Sequence, residues 1–306
     1  MIRLVVIPLV LVLPMTGQSV TKKKAQSQVA KQLPGDSSIG ELRTKAEQGD
    51  AESQYLMGIR YYQGQGVPKD YAEAAKWYRK AADQGFADAQ RLLGYLHATG
   101  QGVAQNHVEA ARLYRMAAEQ GLANAQLLLG MSYAQGQGVP LDNAEAVKWY
   151  RKAAGQGIAS AQLFLGQCYA QGQGIPQDHV EAAKWYRKAA TLGLADAQYT
   201  LGISYNRGEG VPQDDAESLN WFKKAAEQGF VDAQRGLAFN YFLGQGAPKN
   251  IEEAYVWASI WAAKGGKEAA EFRNSTAKML RPQALQKVQA RALKLYEEIQ
   301  ARQGNR

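Results

Sequence analysis

Thiols and imidazoles are scarce in this chain of 306 residues: Cys168 is the single cysteine, and His97, His107 and His179 are the only histidines. An intrachain disulfide framework is therefore excluded, and Cys168 reads as a partly buried free thiol, with intermolecular pairing after export as the alternative. Long hydrophobic runs are missing too. The one apolar stretch, Leu4 to Met15, holds about twelve residues, too few to cross a bilayer as a helix. It follows Arg3 and precedes the small polar group Thr16-Gly17-Gln18-Ser19, the layout of a secretory signal peptide. Residues 1–19 are expected to be that peptide, cleaved near Ser19, which makes the protein periplasmic or secreted and leaves no transmembrane segment in the mature chain. No cysteine directly follows the run, which argues against a lipoprotein anchor. Residues 20–36, rich in lysine, glutamine and serine, read as a flexible linker.

A phosphate-binding loop is also lacking. The segment AQGQGIPQD, residues 170–178, has two of the glycines of a dinucleotide fingerprint, but Gln177 stands where the third is needed. The pair recurs as Gly64/Gly66, Gly100/Gly102, Gly136/Gly138, Gly172/Gly174, Gly208/Gly210 and Gly244/Gly246, always 36 residues apart. A fixed period of this length marks a repeat array and overrides the two-domain expectation that length alone would give. An apolar content of 46% and a charged content of 21% are those of an ordered soluble protein, and the net charge of +8 permits an acidic partner or surface.

Within the copy at residues 157–192, Ala161, Leu165, Gly166 and Tyr169 share one face of a first helix, and Ala182, Trp185, Tyr186, Ala189 and Ala190 share one face of a second. Each helix is too short to be stable alone. Gly172 falls where the first should stop in a left-handed conformation, and Pro176 prevents its early resumption. Asp178 and Glu181 then resemble a capping box that starts the second helix. The equivalent pairs are Asp70/Glu73, Asn106/Glu109, Asp142/Glu145, Asp214/Glu217 and Asn250/Glu253. Gly85, Gly121, Gly157, Gly193, Gly229 and Gly265 end the second helices, while mid-helix Gly58, Gly94, Gly130, Gly166 and Gly202 imply close approach of a neighbouring helix.

The Ala-x-Ala-Gln-x-x-Leu-Gly-x-x-Tyr first helix, the Gly-x-Gly-Val-Pro turn and the Ala-x-x-Trp-Tyr-x-Lys-Ala-Ala second helix resemble the Sel1-like repeat, a relative of the tetratricopeptide repeat. The resemblance covers residues 37–280, about six repeats plus a half unit running from Ser38 to Gly49, and residues 281–306 resemble the family's closing helix. It implies an all-α, right-handed superhelix of antiparallel helix pairs, and a role as adaptor or scaffold in bacterial export, envelope or host-interaction pathways. Leu113 for tryptophan, His97 for tyrosine, Ala104 for proline and Ala238 for glycine depart from the pattern as local repackings. Cysteine-rich members of the family hold each repeat with a disulfide, and some are linked to β-lactam binding. This chain lacks those pairs.

No nucleophile stands beside a base, and the periodic glutamates belong to the scaffold, so neither catalysis nor a cofactor is expected. His107 and His179 occupy equivalent positions in different repeats, too far apart in an extended array to share a metal. A basic ladder, Lys76/Arg79/Lys80, Lys148/Arg151/Lys152 and Lys184/Arg187/Lys188, suits either an anionic polymer or the helix dipole with a glutamate one turn earlier. The second is preferred, and export argues against nucleic acid. The expected partner is a protein or peptide, bound by a monomer. A binder or hydrolase of β-lactams or peptidoglycan fragments and an anionic-polymer binder are the alternatives.

In a tetratricopeptide-like superhelix the first helices line the concave face, so partner-binding residues should be those on the first helix that do not repeat. Three columns qualify: Tyr55, Arg91, Leu127, Leu163, Tyr199, Arg235; Ile59, Tyr95, Met131, Gln167, Ile203, Phe239; and Tyr62, Ala98, Ala134, Ala170, Asn206, Phe242. Tyr55, Arg91, Tyr95, Tyr199, Arg207, Arg235, Phe239 and Phe242 are the predicted contacts, because tyrosine and arginine recur as interface anchors.

Overall fold

The computed structural model describes residues 39–304. The signal-peptide and linker expectations, and Ser38, lie outside the described residues. Fifteen helices and no strands are found among them: α1 (Ile39–Glu47), α2 (Ala51–Gln63), α3 (Tyr71–Asp83), α4 (Ala87–Thr99), α5 (His107–Glu119), α6 (Ala123–Gln135), α7 (Asn143–Gly155), α8 (Ala159–Gln171), α9 (His179–Thr191), α10 (Ala195–Arg207), α11 (Asp215–Ala226), α12 (Val231–Leu243), α13 (Ile251–Ala262), α14 (Lys267–Ala277) and α15 (Pro282–Gly304). They group into two compact units, divided along the chain between Gly157 and Ile158. The first holds α1 to α7 and the second α8 to α15.

Each pair is set by its turns. Gly64 closes α2 at φ 72°, its N–H donating to the Arg60 carbonyl, and Asp70 then starts α3 by accepting from the N–H groups of Ala72 and Glu73. The capping box is only half realised. Four of the six glutamates turn instead to a cation three residues on, pairing Glu73 with Lys76, Glu109 with Arg112, Glu145 with Lys148 and Glu181 with Lys184, while Glu253 meets Arg291 of the last helix. The N–H of the cap residue is satisfied from the preceding helix: Asp70 donates to the Tyr61 carbonyl at 2.9 Å and Asp178 to that of Tyr169 at 2.9 Å. The glutamate is thus released for the ion pair because the first helix has already supplied its acceptor.

Packing explains the small residues. A methyl group on Gly58 would lie 2.4 Å from the Tyr78 ring, so glycine is what lets the second helix lay a tyrosine across the first. The pairing recurs as Gly94 with Tyr114, Gly130 with Tyr150, Gly166 with Tyr186 and Gly202 with Phe222. Where the sixth repeat has Ala238, the residue that stands for the tyrosine is Ala258, and both are fully buried. The departure is compensated on the facing helix. The second glycine of each turn has a different task from the first: a side chain on Gly102 would meet the Tyr71 backbone at 2.2 Å, so the turn rests directly on the second helix of the preceding repeat.

Alanine and leucine fill the core in both units, as with Ala74, Ala81, Leu93 and Leu96 in the first and Ala182, Ala189, Ala197 and Leu201 in the second. Through this core runs a glutamine ladder. Gln90 is 1% exposed and donates from Nε2 to the Ala82 carbonyl at 3.2 Å, while its Oε1 accepts from Gln120 at 2.9 Å. Gln126 repeats the arrangement with Ala118 and Gln156, and Gln198 with Ala190 and Gln228. These three buried amides therefore join adjacent helix pairs instead of standing as uncompensated polar groups, whereas Gln234 in the last repeat keeps only the bond from Nε2 to the Ala226 carbonyl. At the end of the second unit, α15 buries Val288, Ala292 and Ile299, and its Gln303 Nε2 donates to the Gln228 carbonyl at 3.0 Å.

Candidate binding face of the first helices

The second and third of the non-repeating columns hold half-buried side chains for most of their length and border solvent, whereas the first buries Arg91, Leu127 and Leu163 and exposes Arg235. In the first unit, Tyr55 stacks on Phe86 with ring centroids 5.0 Å apart and meets Tyr78 at 6.2 Å. Burial pushes its hydroxyl up to about 12, with Asp88 adding to the shift and Arg91 opposing it. Arg91 itself is 9% exposed and meets Asp88 at 3.4 Å, leaving its buried Nε without a hydrogen-bond partner among the described residues. The sequence offered Arg91 as a partner contact, yet it is inside. Tyr62 stacks near Tyr71 at 5.1 Å, and burial, with the neighbouring Tyr95 and Tyr71, pushes its hydroxyl up to about 12. Tyr95 remains half-exposed against the same core cluster.

The second unit contains the corresponding group. Tyr199 meets Phe230 at 5.1 Å and Phe222 at 5.4 Å. Burial raises its hydroxyl pKa most; Asp232 adds to the rise, while Arg235 and Arg207 oppose it. Arg235 and Arg207 are both exposed, and Arg207 makes a loose pair with Glu209 at 3.7 Å. Among the described residues Arg235 makes no ion pair. Phe239 and Phe242 are half-exposed but committed within the chain: Phe272 of α14 lies 4.4 Å from one and 5.4 Å from the other. Trp261 flanks Phe239 at 6.2 Å and Lys249 lies 5.2 Å from the Phe242 ring.

Sequence reasoning selected Tyr55, Arg91, Tyr199 and Arg235 but missed the group they belong to. Tyr55, Tyr78, Phe86, Asp88 and Arg91 recur 144 residues later as Tyr199, Phe222, Phe230, Asp232 and Arg235. The available signal was the offset of four whole repeats.

On the second helices most of the cations are occupied. Beside the glutamate pairs, Lys80 lies 4.3 Å from the Trp77 ring, Lys152 3.9 Å from Trp149, Lys188 3.8 Å from Trp185 and Lys224 3.8 Å from Trp221. Arg43 donates to the Tyr61 hydroxyl at 2.6 Å, and Arg115 and Arg187 donate likewise to Tyr133 and Tyr205. His97 replaces the tyrosine at this position and takes the Arg79 guanidinium at 3.1 Å. Val180, Trp185, Lys188, Gly210 and Val211 border an open groove of about 460 Å³ beside this ladder. Cys168 is buried, which pushes its thiol up to about 11. No three metal-ligating side chains converge among the described residues.

Short helix pairs repeated every 36 residues, with a periodic interior and a variable first-helix face, define a helical-repeat protein of the tetratricopeptide-like class. The chain belongs to the Sel1 repeat family, whose repeat matches residues 51–86, 87–122, 123–158, 159–194, 195–230 and 231–266. Among solved structures it is similar to c5321, described as a protective antigen present in uropathogenic Escherichia coli strains displaying an SLR fold. That likeness has a TM-score of 0.77 and 37% identity over 87% of this chain and 56% of that one. It is also similar to a Sel1 repeat protein from Oxalobacter formigenes, with a TM-score of 0.69 and 36% identity over 76% of this chain and 92% of that one. The secretory immunoglobulin A-binding protein EsiB of Escherichia coli O6:H1 is 40% identical over 47 residues, which are 15% of this chain and 10% of that protein. The chain thus spans little more than half of the first of these structures, and its match to EsiB is a short stretch. No helix among the described residues is long and apolar enough to cross a membrane.

Proposed function

We propose that this protein is an exported, non-catalytic adaptor, a monomer that binds a protein or peptide on the face of its first helices, the concave face of the family's superhelix. The observation that carries the reading is the division of labour between the two helices of the repeat. Most second-helix cations are held by Glu, Tyr and Trp of the same chain, whereas the first helices expose Arg207 and, in their varying columns, Arg235 and the edges of Tyr95, Tyr199 and Phe239. That engagement of the ladder also disfavours an anionic polymer. A relative named for binding an immunoglobulin is in keeping with a protein partner. The single cysteine leaves this chain without the disulfides of the relatives linked to β-lactams.

The test is affinity capture from the native organism's envelope fraction, with the protein and with a variant carrying Tyr95→Ala, Tyr199→Ala and Phe239→Ala as baits. The variant's fold is checked by circular dichroism. A protein retained by the first bait and lost by the folded second supports the reading; identical retention by both removes the first-helix face. Turnover of nitrocefin by the purified protein would sink the non-catalytic claim. The mass of the chain recovered from the periplasm reports whether cleavage occurs near Ser19.

A further inference from the structure

On α9, within the second unit, the second-helix ladder borders the groove of about 460 Å³. The turn after α10 forms one side of it. A side chain on Gly210 would meet the His179 carbonyl at 1.8 Å, so this turn rests directly on the start of α9 and brings Val211 to the same groove as Val180, which is 54% exposed. Lys184, Arg187 and Lys188 line the groove with Glu181 as its one carboxylate, and so two positive charges are left over. Glu181 is paired with Lys184. Arg187 donates to the Tyr205 hydroxyl and Lys188 lies 3.8 Å from the Trp185 ring, and neither partner carries a charge to offset the cation. Position 191 sets this repeat apart. The first, second and fifth repeats have Asp83, Glu119 and Glu227 there, whereas Thr191 brings no charge and donates its hydroxyl to the Lys188 carbonyl at 2.8 Å. The third repeat, with Gly155, also lacks the acid but has Ala144 where Val180 stands, and the sixth has none of the three basic residues. The fourth repeat alone joins the complete basic group to an exposed valine without an acid one turn later.

We infer that this groove receives a short acidic segment of a protein partner, a carboxylate lying between Arg187 and Lys188 while an adjoining apolar residue rests on Val180 and Val211. The groove has the volume of a ligand pocket, and its valines and the Trp185 ring lower the local polarity, which strengthens charge-assisted hydrogen bonds made beside them. A long anionic polymer fits less well, because the next rung, on α11, carries Glu227 after Lys223 and Lys224. The contact is on a second helix, and so it goes beyond the first-helix face and is judged apart from it. The overall charge of +8 favours encounter with an acidic segment.

Fluorescence anisotropy with the full chain tests this. The probe is a labelled peptide with a Glu-Leu-Glu core flanked by glycines, set against Gln-Leu-Gln and Glu-Gly-Glu counterparts. The Glu-Leu-Glu peptide is expected to bind at least about fivefold more tightly than either counterpart, and Arg187→Ala or Lys188→Ala to weaken it about fivefold or more. Thr191→Glu, which gives this rung the acid of the second and fifth repeats, should weaken it to a similar degree at an exposed position that leaves the fold intact. Lys223→Ala, which removes the equivalent charge one repeat later, should leave binding unchanged, as should the triple change of Tyr95, Tyr199 and Phe239 to alanine. Equal affinity for the Glu-Leu-Glu and Gln-Leu-Gln peptides, no binding of any of the three, unchanged affinity in Thr191→Glu, or an equal loss in Lys223→Ala would each overturn the groove. Glu-Gly-Glu binding as tightly as Glu-Leu-Glu, with displacement by heparin, would assign the cations to anionic polymers and overturn the peptide. Loss of binding in the folded triple variant would move the peptide to the first-helix face, so that the adaptor reading stands while the groove falls.

Discussion

Arg91 and Arg235 occupy the same place in the repeat, four repeats apart, each three residues after an aspartate and beside a tyrosine stacked on a phenylalanine. The first is buried against its aspartate and the second stands in solvent without one. The repeat fixes where a side chain leaves the backbone; the residues around it decide whether that side chain serves the interior or a partner. Stability and binding should therefore respond in opposite senses to the same substitution in the two units.

The largest effect should come from the tyrosine and glycine pairs, which set the distance between the helices of a repeat. Gly58→Ala forces a methyl group against the Tyr78 ring and is expected to cost about 2–3 kcal/mol in chemical denaturation. Gly58→Ala with Tyr78→Ala reproduces the Ala238 and Ala258 pair of the second unit, and should cost less than the sum of the two single changes. Strict additivity would break the claim that this sixth-repeat departure is compensated.

Next come the arginines themselves. Arg91→Ala strips a buried cation from Asp88 and should destabilise the protein by about 1–3 kcal/mol, while exposed Arg235→Ala should change stability by less than about 0.5 kcal/mol. Equal losses in thermal or urea unfolding would erase the distinction between the buried and exposed arginines. A smaller effect is expected for Gln156→Leu, which gives the first unit the residue found at Leu192 in the second. Removing the donor to the buried Gln126 Oε1 should cost about 1 kcal/mol. The slightest perturbation is chemical: the thiol of Cys168 is pushed up to about 11 by burial, so it is protonated at neutral pH. Its reaction with a disulfide reagent at pH 8 should be much slower in the folded protein than in urea, and equal rates would mean that the second unit opens readily around α8.

Much of this architecture was legible in the residues. The period, the helix ends at Gly172 and Asp178, and the close approach at the mid-helix glycines follow from local rules about left-handed residues, caps and missing side chains, which act within a few positions. What escaped is what adjacent helices do to one another. Glu181 has the spacing of a capping box but pairs with Lys184, because Tyr169 of the first helix has already accepted the cap's N–H. The second turn glycine resembles the first, but the Tyr71 backbone beneath Gly102 comes from the preceding repeat. For the candidate site, the variable columns could be listed from periodicity, while the burial of Arg91 depends on the helices packed around it, and the commitment of Phe239 and Phe242 on Phe272, which lies 33 and 30 residues away.

The ladders carry one more consequence, for inheritance. Arg43 reaches Tyr61 and Arg187 reaches Tyr205 across 18 positions, Gln120 reaches Gln90 across 30, and Gln90 reaches Ala82 across 8. All of these spans are shorter than one 36-residue repeat. A recombination event that removes or inserts one whole repeat inside a unit therefore rejoins partners of the same kind at most rungs, and the number of repeats becomes a heritable quantity that can change in a single step without a new fold having to be found.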